Sequence, residues 1–203
     1  MEKLKNFWYH YKFRTIFFLF LAVVVTVGIV SYVTKENYDI QIFLYTSKDL
    51  PSDVSHSLEQ TIEDIYSKND EKVNVGVIDY SYDPYTKDGD SKVSYASALS
   101  GEIRMKNYFV FITDNFRLEE LSENEKLQNL FLKDTSLFNK YDNTAFSLKN
   151  SNFAQNFLKK LESNGTTIAK MPEYYVSIMN CDDKSNENYK KALELVKMIK
   201  SEG

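Results

Sequence analysis

A single cysteine in 203 residues, Cys181, excludes an internal disulfide, so the fold must rest on apolar burial. Histidine is nearly as scarce, with only His10 and His56, and the chain lacks any H-E-x-x-H, G-x-S-x-G, P-loop or dinucleotide fingerprint. His56 falls about 200° around its expected helix from Val54, on the polar face, so no Cys/His dyad is supported and Cys181 reads as a partly buried structural thiol. An excess of cations is missing as well. The first 14 residues hold four of the 25 Lys and Arg and one of the 29 Asp and Glu, which leaves 21 cations against 28 acids in the rest, a balance of −7. Nucleic acid is therefore not an expected partner, because binding it relies on clustered cations that neutralise phosphates. Proline and glycine number three and six, and there is no low-complexity tract and no internal repeat.

What the chain does have is one long apolar run. Residues 15–33 carry no charge, and as a helix they reach roughly 28 Å, close to the hydrocarbon thickness of a bilayer. Their β-branched content would favour a strand in water, but in lipid every backbone polar group must be satisfied within the segment, which favours a helix. Lys3, Lys5, Lys12 and Arg14 precede the run against the single acid Glu2, so the positive-inside bias puts the N-terminus in the cytoplasm. The expected organisation is a basic and aromatic cytoplasmic head at 1–14, a transmembrane helix at 15–33 and an exported domain at 34–203, in the cell membrane as a single-pass signal-anchor. A cleavable signal peptide, with a weak cleavage site around Ile29 and Ser31, is the alternative; the run exceeds the usual apolar core of such peptides. About 170 residues suit one domain.

In the exported part, "YDIQIFLY" alternates Ile40, Ile42 and Leu44 with Asp39, Gln41 and Phe43, the mark of a buried strand. Pro51 suits a first helical turn, and Val54, Leu58, Ile62 and Ile65 follow on one stripe ending near Lys68. "KVNVGVIDY" predicts a second strand, "KVSYASALSGEIRM" a second helix, and "YFVFIT" an interior parallel strand. Ser122 and Glu125 form a capping box for a helix carrying Leu127, Leu130 and Phe131, "TAFSL" suits a short strand, and 153–161 suits a helix before the Asn164-Gly165 turn. "YYVSIM" after Pro172 predicts a last strand at the sheet edge, and Ser185 a closing helix with Tyr189, Ala192, Val196 and Ile199 on one face. The expected fold is α/β: an N-terminal transmembrane helix, then a single domain with a mainly parallel βαβαβ sheet and helices on both faces.

"FWYHYKF" before the span, "YDIQIFLY" after it, "YFVFITD", and "MPEYYVSIM" near the end together resemble uncharacterised single-pass envelope proteins of Gram-positive bacteria. The resemblance implies an anchored, exported α/β domain. The βαβαβ order with a strand ending at Asp114 is also similar to one lobe of the extracytoplasmic solute-binding proteins. Those close two lobes on a ligand, and about 170 residues supply one, so this likeness implies fold more than transport.

In open parallel sheets ligands bind beyond the carboxyl ends of the strands. That rule gathers Tyr45, Thr46 and Ser47, then Asp79, Tyr80, Ser81, Tyr82 and Asp83, then Thr113, Asp114 and Asn115 as candidate ligand-binding residues. Rings beside carboxylates and hydroxyls suit a sugar or a cation; a polar rim where strands meet solvent is the commoner origin of such a set. Asp83, Asp88 and Asp90 in "DPYTKDGDS" lack the alternating oxygens of a calcium loop, so a solvated loop is expected there and no metal or cofactor is implied. Glu119 and Glu120 diverge on a helix and read as surface. No nucleophile, base and orienter can be assembled, so the sequence points to a non-enzymatic module binding an envelope protein such as a transporter or a wall-assembly component. A small-ligand receptor at the strand ends comes second and a cell-wall-directed enzyme third.

Overall fold

A computed structural model describes residues 11, 13–14, 16–27, 38–48, 50–51, 53–67, 72–81, 101, 108–123, 129–166 and 173–201. The chain divides into two compact units, Met1–Asn37 and Tyr38–Gly203. In the first, residues 16–27 are helical and expose apolar side chains all round, Phe17, Leu19, Val24 and Val27 among them. They lie within the expected span 15–33, whose other residues fall outside the described ones. Among the described residues no helix is long and apolar enough to cross a membrane.

The second unit is an α/β domain with the order β1 (Ile40–Tyr45), α1 (Asp53–Ser67), β2 (Val75–Asp79), β3 (Val110–Asp114), α2 (Asn115–Glu123), β4 (Ala145–Ser147), α3 (Asn152–Ser163), β5 (Tyr174–Ile178) and α4 (Glu187–Ser201). Five strands form one mixed sheet in the order β2-β1-β3-β5-β4. Alternation along the strands divides the core. Ile40, Ile42 and Leu44 of β1 with Val110 and Ile112 of β3 face α1, α3 and α4, whereas Phe43, Tyr45 and Phe111 face the side covered by Leu121 of α2 and by Phe131. The stripe predicted for α1 is buried as expected, at Val54, Leu58, Ile62 and Ile65, and Tyr66 joins it. Burial of each such large side chain contributes about 1.5–3 kcal/mol. The closing helix likewise buries Tyr189, Ala192, Val196 and Ile199; its first turn is capped by Asn186, whose Oδ1 accepts the Tyr189 N–H at 3.1 Å.

The expected parallel arrangement holds for three strands only. β1 pairs in parallel with β2 and β3, but β5 runs antiparallel to both β3 and β4. The last strand was also expected at an edge, and it sits between β3 and β4 instead, buried at all five positions. A strand buried on both faces shows the same unbroken apolar pattern in either direction and at any interior place, so its sequence records neither direction nor order. Three-residue β4 takes the edge, continuing β3's direction.

α2, which begins directly after β3 and ends at Glu123, was not expected; of the helix expected from the Ser122–Glu125 capping box, residues 124–128 lie outside the described ones, while Leu130 lies in a turn and Phe131 makes an isolated bridge with Met179. Asp114 provides the start signal of α2, as its contacts below show. Glu125 and Leu127, Pro172, and all of the helix expected from "KVSYASALSGEIRM" except helical Gly101 lie outside the described residues. At the other edge, Gly76 of β2 lies under the Tyr38 ring, where an added Cβ would come within 2.7–2.8 Å of ring carbons. The Val77 N–H on that edge donates to Glu59 Oε1 at 2.9 Å, so a side chain of α1 covers a donor that would otherwise invite another strand.

Candidate functional site

The parallel registers Leu44↔Asp79 and Tyr45↔Thr113 bring the carboxyl ends of β2, β1 and β3 level with one another. Tyr45, Thr46, Ser47, Asp79, Tyr80, Ser81, Thr113, Asp114 and Asn115 therefore meet at one sheet edge, as the sequence predicts; Tyr82 and Asp83 lie outside the described residues. Asp114 is the hub. Its Oδ1 accepts the Arg117 backbone N–H at 2.9 Å, which caps α2, while its Oδ2 accepts the Ser47 backbone N–H at 2.7 Å and the Ser47 hydroxyl at 2.5 Å. One carboxylate thus joins the turn after β1 to the helix after β3, and negative charge at a helix N-terminus is favourable.

The neighbouring turns are linked in the same way. The buried Thr46 hydroxyl donates to the Lys48 carbonyl at 3.0 Å and lies 2.7 Å from the Ser81 hydroxyl, and the Ser81 N–H donates to Asp79 Oδ1 at 2.7 Å. Tyr45 is buried, and its hydroxyl donates to Glu120 Oε2 at 3.0 Å. Asn115 Oδ1 receives the hydroxyls of Tyr141 at 2.8 Å and Tyr175 at 3.3 Å, two rings that meet edge to face at 5.8 Å. Tyr141, Asp142 and Asn143 all take left-handed backbone angles, with φ of 46°, 57° and 61°, to form the turn that carries Tyr141 there. Burial pushes the Tyr175 hydroxyl up to about 12, with the charge of Glu173 adding to it. Tyr174 is also pushed up to about 12, first by burial and then by the carboxylates of Asp114 and Asp79.

Arg117 and Glu120 belong to this edge and were not among the candidates. Arg117 is 2% exposed; its guanidinium sits 4.6 Å from the centre of the Tyr45 ring, donates to Glu120 Oε2 at 2.7 Å and reaches the Thr46 carbonyl at 3.4 Å. Glu120 read as surface and is half exposed, yet its carboxylate joins Arg117 and Tyr45. The i,i+3 spacing of Arg117 and Glu120 is the sequence signal that could have found the pair. Two hydroxyls on the α2 side of the sheet, Thr113 Oγ1 and Ser177 Oγ, are buried without a hydrogen-bond partner.

Two open clefts lie away from these residues. One of about 330 Å³ lies beside β4 and one of about 410 Å³ between α1 and α3, where Lys160 pairs with Asp64 at 2.8 Å. Among the described residues no group of three His, Cys, Asp or Glu is placed to hold a metal ion, and the loop with Asp83, Asp88 and Asp90 lies outside them. Cys181 is buried with its thiol 3.3 Å from the Asp183 carbonyl, and His56 lies on exposed surface beside Gln60. No family model matches the chain, and no curated protein or solved structure matches it either.

Proposed function

We propose that this chain is an anchored α/β interaction module, held at a membrane by its N-terminal apolar segment and meeting another envelope protein outside the cell. One observation carries the preference for an interaction role over ligand capture: the polar groups at the strand ends are turned on one another. Asp114 binds Ser47 and the start of α2, Glu120 takes Arg117 and Tyr45, and Asn115 takes two tyrosines. A ligand would have to displace these bonds, and each buried group it left unmatched would cost about 1–3 kcal/mol. The anchor is supported by the helical run 16–27, whose side chains are apolar on every face save for Thr26, which bonds back to the Ala22 carbonyl, a pattern suited to lipid rather than to a half-buried helix in water. The basic head before it supports an outward-facing domain.

Phe116, 40% exposed, is the one exposed large apolar side chain among the described residues after Tyr38, and it stands on the first turn of α2. A photocrosslinking amino acid in its place, activated in intact cells, is expected to give an adduct of one defined mass with an envelope protein. Absence of an adduct, or adducts formed only after cells are opened, would contradict the proposal.

A further inference from the structure

We infer that the cleft beside β4 is an oxyanion site that takes a compact phosphate-bearing ligand. β4 runs in the same direction as β3, because each is antiparallel to β5, so Ser147 ends at the same edge of the sheet as Asp114. The cleft lies beside β4 and is lined by Lys140, Lys149 and Lys200, from the turn before β4, the turn after it and the last turn of α4. In a chain of net charge −4, three lysines lining one concavity are a local reversal of sign. Lys200 is held in place by donating to the Ser136 and Leu137 carbonyls at 2.5 and 2.6 Å, neutral acceptors that leave its charge intact. Glu173 and Asp134 are the acids that feel these lysines, and both have other donors. Glu173 accepts the Ser147 hydroxyl at 3.0 Å and lies 3.9 Å from Lys149, and Asp134 accepts the Ser136 hydroxyl at 2.6 Å.

Glu173 also shows that the lysine fields overlap. Its carboxyl is held below the usual range first by the Ser147 hydroxyl and, against the opposing effect of burial, by Lys149, by the Tyr175 hydroxyl and lastly by Lys140. Two ammonium groups acting on one carboxylate can act on one phosphate. Phe146 and Ile199 give the cleft apolar walls, and about 330 Å³ is the scale of a small metabolite rather than of a polymer segment. Lysine in this setting works as a point charge on a multiply charged oxyanion, without the bidentate geometry that arginine imposes on a carboxylate.

The test is calorimetric titration of the full-length chain in neutral-detergent micelles with inorganic phosphate and with glycerol phosphate, at ionic strength matched with sodium chloride. Saturable binding is expected for at least one of them, weakened tenfold or more in Lys140→Met and Lys149→Met, and unchanged in Lys133→Met, whose partner is Asp142. Tighter binding of glycerol phosphate would mark an esterified ligand, and equal binding the free ion. Lys149 is 62% exposed, so its substitution should leave the fold intact, which melting of each variant checks. No saturable heat, or heats that chloride alone reproduces, or affinity unchanged in both cleft variants would overturn the inference.

Discussion

Arg117 is the only fully buried charged side chain among the described residues, and its surroundings explain why it is tolerated. Its guanidinium stacks on Tyr45 and meets the Glu120 carboxylate, so its charge is shared with groups that reach the surface. Thr113, four positions before it, has the opposite character: a buried hydroxyl without a partner. Since a buried unsatisfied group costs about 1–3 kcal/mol, Thr113→Val, which keeps the shape and removes the polarity, is expected to raise stability by about 1 kcal/mol in urea unfolding. A loss of that size would show that the hydroxyl is satisfied. Asp39 gives a pH prediction. Its carboxyl is held below 3.8, first by the Lys191 ammonium bonded to it and then by the Asn74 N–H, with burial opposing both. Because the folded pKa is the lower one, the stabilisation is complete above 3.8 and is lost as pH falls through the folded value. Asp39→Asn should therefore be less stable than the parent at neutral pH, and the difference should shrink as pH drops below 3.8; a difference constant with pH would contradict this assignment.

Among the elements, α1 and α4 were legible because a helix face repeats every three or four residues, and Val54, Leu58, Ile62 or Tyr189, Ala192, Val196 can serve no other packing. β1 was legible from its alternation. The start of α2 was not, since Asp114 caps the helix while also gripping Ser47, 67 positions away in sequence, and only the folded sheet brings those two together. The place and direction of β5 were illegible for the same reason: nothing in "YYVSI" records which strand flanks it. The start of α3 shows how much one cap contributes. Ser151 Oγ accepts the Ala154 N–H at 3.0 Å and donates to the Leu148 carbonyl at 2.8 Å. Ser151→Ala should cost about 1 kcal/mol in chemical denaturation and Ser151→Thr much less, because threonine keeps a hydroxyl that both accepts and donates. Equal losses in the two variants would place the contribution in packing instead of capping.

For the whole molecule, the strand-end rule located the right edge, and the chemistry found there differs from that of an open ligand site. Candidates drawn from three separated segments, Tyr45–Ser47, Asp79–Ser81 and Thr113–Asn115, do converge, because parallel registers bring strand ends level whatever their separation in sequence. What the sequence could not convey is that these groups bond to one another. A carboxylate kept for a ligand commonly reduces the stability of the free protein, and its removal then leaves stability unchanged or raised; a carboxylate that braces the fold does the reverse. The decisive measurement is urea unfolding of Asp114→Ala beside the parent, both as full-length chains. Loss of the α2 cap and of both Ser47 bonds predicts a destabilisation of about 2–4 kcal/mol. A variant as stable as the parent, or more stable, would contradict the bracing role and with it the preference for an interaction module over a receptor.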